Sequence, residues 1–559
     1  MTEYLLSVLI GLPFLSALVV LFMPRQSVAT IRRFTVAAML LEFLLSLWLL
    51  GGDYTTARFQ FVEKHLLVEH FGISYHLGVD GISLWLVLLT TLSTLIATHA
   101  SWTAIDTKIK EYALSFLLLE AGMLGAFLAL DLFLFYVFWE LMLVPMYLII
   151  GVWGGPERVY AAVKFFLYTM VGSLLMLVAV LYLVAQYREL SGSYSFDWVE
   201  LNRVMLPFSA QVWLFLAFAL AFAIKVPMFP FHTWLPDAHV QAPTGGSVIL
   251  AAVLLKLGGY GFLRFAMPLF PLASHHLGPT LALLAVIGII YGAWCAWAQQ
   301  DIKKLVAYSS VSHLGFVMLG IFSITQHGVS GAILQMVSHG ISTGALFLLV
   351  GVIYERRHTR DLGEFGGLAQ VMPSYCLVFV IVTMSSVGLP GTNGFVGEFM
   401  ILSGSFVSEL LRPHNRVFTL FAATGVILAA IYMLHAVLKV FWGPLDKDQN
   451  RNLADLSTRE WLALSPMVVL IFWIGVFPNM FLKSMEPSVD EFMASYRAKL
   501  MAGGPRGPGR GQLLPERAVA FKTAIQQPAL AADHARAVRP EPVGPLASAA
   551  AGTKVGRHP

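Results

Sequence analysis

Four charged side chains stand inside stretches that are otherwise apolar. Lys225 lies in LAFALAFAIKVPMFPFHTW and Lys256 lies in SVILAAVLLKLGGYGF, while Glu140 and Glu398 occupy similar settings. A charge near the bilayer centre costs about 2.5–3.5 kcal/mol on insertion scales, and such residues mark paths for ions or protons. Their presence at four positions therefore predicts that the chain moves charge across a membrane.

The composition predicts the kind of molecule that positions these residues. The 559 residues are 57% hydrophobic and 12% charged, whereas soluble domains contain about 25% charged residues. The first apolar run, from Tyr4 to Met23, lacks a basic segment in front of it and is interpreted as a transmembrane helix rather than a signal peptide. Cys295 and Cys376 have no ligand-type spacing, which excludes an iron–sulfur site formed by this chain alone.

Windows of roughly 20 apolar residues predict an all-α polytopic membrane protein with about fourteen transmembrane helices. The predicted helices lie near 4–23, 30–50, 80–100, 112–130, 132–153, 160–186, 211–231, 245–267, 278–298, 303–323, 329–353, 373–403, 416–442 and 461–481.

The distribution of Lys and Arg predicts the orientation. The odd-numbered loops of this arrangement contain fourteen basic residues and the even-numbered loops contain six. Cytoplasmic loops carry the excess of basic residues. The odd loops are therefore expected in the cytoplasm and both termini on the periplasmic side.

Two of the predicted helices contain helix-breaking residues. Pro227 and Pro230 follow Lys225 in predicted helix 7, and Pro390 lies among several glycines ahead of Glu398 in predicted helix 12. Paired broken helices in two halves of a transporter indicate inverted repeats around a central ion path. The predicted segments are helices 1–3 (1–110), a first repeat of helices 4–8 (111–270), a second repeat of helices 9–13 (271–445), helix 14 with a C-terminal segment (446–500), and a tail (501–559).

The tail differs in composition from the rest of the chain. Residues 501–559 are rich in Ala, Pro, Gly and Arg, with eight basic against three acidic residues and no sustained apolar period. Such a composition is typical of disorder. We expect a solvated tail without a packed structure.

Six long strings of this sequence are uncommon and occur in a fixed order. They are HLGVDGISLWLVLLTTL from His76, FYVFWELMLVPMYLIIGVWGG from Phe135, KVPMFPFHTWLPDAHVQAPTGGSVILAAVLLKLGGYG from Lys225, AYSSVSHLGFVMLG from Ala307, QMVSHGISTGALFLLVGVIYERRHTR from Gln335 and GLPGTNGFVGEFMIL from Gly388. Together they resemble the antiporter-like subunits of respiratory complex I, and the resemblance covers roughly residues 1–490.

The resemblance implies a proton-translocating subunit in the membrane arm of an NADH:quinone oxidoreductase. It implies a multi-pass protein of the bacterial inner membrane, in contact with lipid and with other membrane-arm subunits, especially two sister antiporter-like subunits, and not with nucleic acid. No cofactor is expected in this chain, and NADH, FMN, iron–sulfur clusters and quinone are expected in other subunits. The chain would be part of an enzyme without a redox centre of its own.

The resemblance also assigns roles to residues. It implies that Glu140 and Lys225 form a carboxylate–lysine pair, that Lys256 is a central lysine, and that Glu398 is the carboxylate on the exit side. Sister subunits place lysine at the Glu398 position. The histidines that it implies as proton relays between Lys256 and Glu398 are His232, His313 and His339. Burial favours the neutral form of a lysine and a nearby carboxylate favours its charged form, so such a pair is suited to switching.

Other interpretations stay open at this point. The charged residues can form static ion pairs, and the histidines can be satisfied core residues. A multisubunit sodium/proton antiporter or an energy-converting hydrogenase would share the helices and the buried lysines, and an inert structural spacer is the alternative without transport. Glu120, inside predicted helix 4, is either an auxiliary carboxylate or a lateral contact to a neighbouring subunit.

Overall fold

The computed structural model describes residues 2–504 and 511–515. It confirms a mostly helical polytopic fold, with thirteen helices in the described part that are long and apolar enough to cross a membrane. The first spans are α1 (Leu5–Phe22), α2 (Val28–Ser46, continued by a 3-10 turn to Gly51), α3 (Leu84–Ala104), α4 (Ile109–Leu128), α5 with α6 (Leu132–Leu141 and Leu143–Trp153) and α7 (Arg158–Ser191).

The later spans include the two most deeply buried segments of the described chain. After the short α8 (Trp198–Leu201) come α9 (Phe208–Lys225), α10 (Trp234–Gln241), α11 (Thr244–Ile249), α12 (Lys256–Gly261), α13 (Met267–Leu269), α14 (Pro271–Trp297), α15 (Ile302–Phe322), α16 (Gln326–Arg357), α17 (Pro373–Val387), α18 (Asn393–Val407), α19 (Asn415–Phe441), α20 (Thr458–Val476) and α21 (Asn479–Gly503). The span Thr244–Leu269 and the long α16 are the most buried, and they form the centre of the bundle.

The difference between fourteen predicted and thirteen observed spans arises at predicted helix 12. The run 373–403 consists of two fifteen-residue helices, α17 and α18, separated by residues 388–392. Gly388 and Gly391 in this connection have positive φ angles of 83° and 91°, a backbone conformation that glycine adopts without steric cost. Residues 226–233 likewise separate α9 from α10. The two non-helical segments fall in the fourth helix of each predicted repeat, and the repeat relationship itself stays a prediction.

The span that carries Lys256 is helical but not uniform. Two π-helical turns, Leu250–Leu254 and Phe262–Ala266, flank α12. A Cβ atom at Gly258 would lie 2.5 Å from the carbonyl oxygen of Phe222. The missing side chain therefore lets α12 pack directly against the end of α9, which brings the helices of both predicted lysines together.

A β-hairpin and a C-terminal helix were missed by the sequence analysis, which predicted only α-helices. Strands β1 (Gln60–Val68) and β2 (Ile73–Val79) pair antiparallel between α2 and α3. The hydropathy windows detect membrane spans, and a hairpin outside them gives no such signal. Helix α21 is too polar to be detected as a span, but its large buried hydrophobic residues recur at helical spacing. They are Phe481, Leu482, Met485, Val489, Phe492, Met493 and Tyr496.

Part of the predicted tail is ordered. Strand β4 (Gln512–Leu513) pairs antiparallel with β3 (Val204–Met205), and the amide of Leu514 donates to the carbonyl of Arg203 at 2.9 Å. The expectation of disorder is therefore wrong for residues 511–515, because main-chain pairing and burial of Leu514 stabilise them. The rest of the tail, 505–510 and 516–559, lies outside the described residues.

The polar ends of the bundle form two faces. On one face the hairpin contacts the α7–α9 connection, where Lys64 Nζ lies 2.5 Å from Asp197 Oδ2 and His76 Nδ1 lies 3.1 Å from the same oxygen. Burial opposes ionisation of Asp197, but the hydrogen bond and charge of His76, with the charge of Lys64, lower its pKa to about 2. These contacts of Lys64 and His76 with Asp197 hold the hairpin against the helical bundle.

The opposite face is held together by ion pairs between the odd-numbered loops. They are Arg25–Glu111 at 2.7 Å, Arg360–Asp301 at 3.2 Å and Arg356–Glu460 at 2.7 Å. Odd-numbered loops therefore contact other odd-numbered loops, as expected if all of them lie on the same side of the membrane.

Candidate functional site

The centre of the bundle contains a lysine in direct contact with a histidine. Lys256 is 0% exposed, and its Nζ donates to the carbonyl of Ala251 in the first π-helical turn. The same Nζ lies 2.7 Å from Nδ1 of His339 on α16. An ammonium group has only donors, so Nδ1 of His339 accepts and the proton of a neutral ring is on Nε2. His339 is thus poised to receive a proton on one nitrogen and release one from the other.

A second histidine connects to the buried carboxylate on α18. His313 Nδ1 lies 2.9 Å from Glu398 Oε1, and both residues are 4% exposed. Gln335 Nε2 donates to the same carboxylate oxygen at 3.0 Å, and Tyr432 Oη lies 3.3 Å from Nε2 of His313. The carboxylate is the acceptor, so His313 holds a proton on Nδ1. Gln335 and Tyr432 were not predicted from the sequence, because uncharged side chains are not conspicuous in an apolar helix.

These contacts form one row across the middle of the bundle. The ring centroids of His313 and His339 are 5.9 Å apart, so the row runs from Lys256 through both histidines to Glu398. The four members come from α12, α16, α15 and α18. Because each is at most 4% exposed, a charge entering the row is shielded from solvent. The structure therefore brings together four of the seven residues that the family resemblance singled out.

The carboxylate–lysine pair lies at the end of α9. Lys225 is the last residue of that helix, where the helix dipole favours a cation. Its Nζ lies 5.1 Å from the ring centroid of Trp139 and 5.8 Å from that of Phe165. Glu140 is close enough to interact electrostatically, but in the described part of the chain the two groups form no ion pair within 4.0 Å. The Glu140 Oε1 atom is buried without a hydrogen-bond partner there. The structure thus holds the pair apart, with the ammonium against aromatic faces.

His232 lies outside the row. It is in the non-helical segment between α9 and α10, with its ring 5.2 Å from Tyr291 and 6.4 Å from Tyr308. The nearby charge is that of Lys164, whose Nζ lies 2.7 Å from Asp237. The structure does not bring His232 into the row between Lys256 and Glu398, because the interruption of the helix places its ring beside Tyr291 of α14 and near Lys164 of α7. Its role as a proton relay stays a prediction.

A further histidine near Lys256 was missed. His239 on α10 is 0% exposed and stacks on Phe347 at 4.5 Å between ring centroids, and both of its ring nitrogens lack a hydrogen-bond partner in the described part. It interacts electrostatically with Lys256 and with Lys303, whose Nζ donates to the carbonyl of Ala242. The sequence signal was the second histidine of HTWLPDAHVQAPT, seven residues after His232.

The described residues contain no group of three or more His, Cys, Asp or Glu side chains placed to hold a metal ion. The row itself offers the chemistry of its titratable side chains. Lysine, histidine and carboxylate in hydrogen-bond contact can pass protons, since each can gain and lose one.

Comparison with known proteins adds independent findings. The family described as NADH:quinone oxidoreductase/Mrp antiporter, transmembrane, matches residues 129–436. NADH-quinone oxidoreductase subunit M of Rhodobacter capsulatus is 47% identical over 513 residues, which cover 89% of this chain and 98% of the relative. Subunit M of Rickettsia prowazekii (strain Madrid E) is 44% identical over 88% of this chain and 99% of its own length.

Solved structures resemble the fold. A chain of the respiratory complex I from Thermus thermophilus with bound NADH superposes with a TM-score of 0.78 at 35% identity, covering 88% of this chain and 99% of that one. A chain of the Mrp complex from Dietzia sp. DQ12-45-1b has a TM-score of 0.76 at 19% identity, over 89% of this chain and 99% of that one. The second likeness concerns the fold alone.

Proposed function

The chain belongs to the NADH:quinone oxidoreductase/Mrp antiporter transmembrane family, and from this premise we propose that it is the proton-translocating subunit M of an NADH-quinone oxidoreductase. The family resemblance found in the sequence is confirmed by relatives that carry this name at 47% and 44% identity. The observation that carries the proposal is the buried row from Lys256 to Glu398. Burying two histidines between a lysine and a carboxylate costs desolvation free energy, and a structural spacer without transport gains nothing from it.

The row supports a stepwise transfer of protons. A proton on the Lys256 ammonium passes to Nδ1 of His339, and the proton on Nε2 of that ring is released toward His313. His313 takes up that proton on Nε2, and the Nδ1 proton of the same ring then passes to Glu398. Each step is short-range, and the burial of all four residues limits the loss of the proton to solvent.

The Glu140–Lys225 pair acts as the switch in this proposal. When the carboxylate approaches Lys225, the charged ammonium is stabilised, and when it withdraws, burial favours the neutral amine. The aromatic faces of Trp139 and Phe165 hold the ammonium in the separated state. Movement of Glu140 would therefore change the charge at the end of α9 and so bias the proton affinity of the row.

The remaining parts of the proposal concern the assembly. The chain spans a bacterial inner membrane with both termini in the periplasm, contacts other membrane-arm subunits and lipid, and binds no redox cofactor. Flavin, iron–sulfur clusters and quinone belong to other subunits, so the chain works as part of an enzyme. The names and coverage of the relatives support the place in the complex, and the excess of Lys and Arg in the odd-numbered loops supports the orientation.

The test is proton pumping by the purified complex in sealed vesicles, driven by NADH and a quinone. We expect His339→Gln to lower the number of protons moved per NADH oxidised, because glutamine cannot carry a proton between its two polar atoms; acid–base relays contribute about a hundredfold or more to rates. The matched control is His327→Gln, an exposed position at the start of the same helix α16. Equal pumping by both variants would contradict the proposed row.

A second arm of the experiment separates the alternatives. A sodium/proton antiporter subunit would move protons when a sodium gradient is imposed without NADH. We expect no such movement. Sodium-driven proton flux that is lost in His339→Gln would instead favour the antiporter function.

A further inference from the structure

Two carboxylic acids that the row does not use are buried together near the N-terminal end of the chain. Glu42 on α2 is 1% exposed and Glu120 on α4 is 0% exposed. They are close enough to interact electrostatically. Both precede the residues 129–436 that match the family, and neither touches Lys256 or Glu398. The complete burial of Glu120 also excludes it as a lateral contact to a neighbouring subunit.

Within residues 2–504 and 511–515, neither carboxyl group of the pair has a basic partner. In the described part of the chain no lysine, arginine or histidine forms an ion pair with either carboxyl group, and both oxygens of Glu42 and the Oε2 atom of Glu120 lack a hydrogen-bond partner. Helix α1, which packs against α2 and α4, contains no charged residue at all. Two ionised carboxylates in such a place would repel each other and lose their hydration without compensation.

The one polar contact of the pair fits a protonated acid. The Thr94 hydroxyl on α3 contacts Glu120 Oε1 and also lies 3.0 Å and 3.1 Å from the carbonyls of Thr90 and Thr91. A hydroxyl has a single hydrogen but can accept two more. If Glu120 donates its own proton to Thr94, the threonine hydrogen remains available for a backbone carbonyl, and both hydroxyl groups of this contact are hydrogen-bonded.

We propose that Glu42 and Glu120 form a second proton-binding site of this protein, in which at least one of the two carboxyl groups is protonated at neutral pH. The site joins the three helices that precede the matched region. Ser46 on α2 contacts Thr91 on α3 at 2.8 Å, and Thr94 joins α3 to Glu120 on α4. The bound proton reduces the electrostatic repulsion between the carboxyl groups of α2 and α4. A proton suits the site better than a metal cation, because its hydroxyl oxygens are already engaged and hard cations require about six oxygen ligands.

The experiment is infrared spectroscopy of the purified complex at neutral pH, with Glu42→Gln and Glu120→Gln compared with the unchanged protein. A protonated carboxyl group has a C=O stretching band that an ionised carboxylate lacks. We expect at least one of the two variants to lose such a band. The matched control is Glu111→Gln, a partly exposed glutamate on the same helix α4 that pairs with Arg25, which leaves these bands unchanged.

Two results would overturn the site. If neither variant loses a protonated-carboxyl band, the pair is ionised. If sodium chloride abolishes the band in the unchanged protein while choline chloride does not, the site binds a cation in place of the proton. Both single variants should assemble into the complex, because an amide resembles a neutral acid in shape and polarity; failure of both to assemble would mean that a negative charge is required and would also contradict the proposal.

Discussion

At the residue scale, the row is defined by which atom of each side chain can donate. Lys256 has only donors when charged, so His339 must accept at Nδ1, and Glu398 can only accept when ionised, so His313 must donate from Nδ1. The two rings therefore face their partners with opposite roles. This opposition gives the row a direction, from the lysine toward the carboxylate.

The first residue-scale prediction concerns the separated pair. Glu140→Gln removes the charge that favours the ammonium form of Lys225, so the lysine should stay neutral and NADH-driven pumping should fall about tenfold or more. Glu140→Asp keeps the charge on a shorter side chain and should retain part of the activity. Lys225→Ala should resemble Glu140→Gln, and Lys225→Arg should also fail because guanidinium is not deprotonated in proteins. Pumping and NADH:quinone electron transfer are measured together, since both should decrease.

The control for these variants is Glu157→Gln, which changes an exposed carboxylate ahead of α7 and should leave both rates unchanged. Assembly is measured first, because removing one member of a buried charged pair can cost about 3–5 kcal/mol. A Glu140→Gln complex that assembles and pumps at the normal rate would refute the proposed switch.

At the element scale, irregular helices place the functional groups. Lys225 is the last residue of α9, ahead of the non-helical residues 226–233. Lys256 follows a π-helical turn whose Ala251 carbonyl accepts a hydrogen bond from the lysine Nζ. Regular helices satisfy their own backbone groups, so a lysine inside one finds no carbonyl free to bind. The departures from regular geometry thus provide polar partners at membrane depth without exposing the backbone to lipid.

The element-scale prediction concerns the contact between α9 and α12. Gly258→Ala would place a methyl group 2.5 Å from the Phe222 carbonyl oxygen. We expect it to separate the two helices, destabilise the membrane domain by about 1–3 kcal/mol, and lower pumping. The control is Gly11→Ala in α1, where a Cβ atom has nothing within 4 Å. Thermal unfolding of the complex and the pumping assay measure both effects, and equal behaviour of the two variants would contradict the close contact.

At the scale of the whole molecule, polar contacts gather at two faces with the apolar spans between them. The hairpin, the α7–α9 connection and the C-terminal helix α21 meet at one face, where Lys499 on α21 donates to Asn202 and to the carbonyl of Pro268. The ion pairs of the odd-numbered loops hold the other. We infer from the excess of basic residues in the odd loops that the second face is cytoplasmic.

The molecular-scale prediction tests this orientation with two exposed carboxylates. Glu409 is in an even-numbered loop and Asp448 in an odd-numbered loop, with side chains 86% and 89% exposed. In a protein whose Cys295 and Cys376 are replaced by serine, Asp448→Cys should react with a membrane-impermeant thiol reagent only from the cytoplasmic side. Glu409→Cys should react only from the periplasmic side. The reverse labelling pattern would overturn the orientation.

The local sequence determined which residues are candidates for the chemistry and which elements carry them. Charges in apolar runs identified Lys225, Lys256, Glu140 and Glu398, because the energetic cost of burying a charge makes such residues conspicuous in a single sequence. Long apolar runs located the spans for the same reason. Prolines and glycines marked where α9 and α17 end, since these residues limit helix geometry locally.

Only the tertiary structure decided which of these residues meet. His313 and His339 come from different helices and His232 from a non-helical segment, so no local pattern separates the two that join the row from the one that does not. Neutral partners such as Gln335 and the missed His239 gain their importance from burial, which depends on the packing of helices far apart in the chain. The Glu42–Glu120 pair has the same origin, because its members are 78 positions apart and become a pair only when α2 packs on α4.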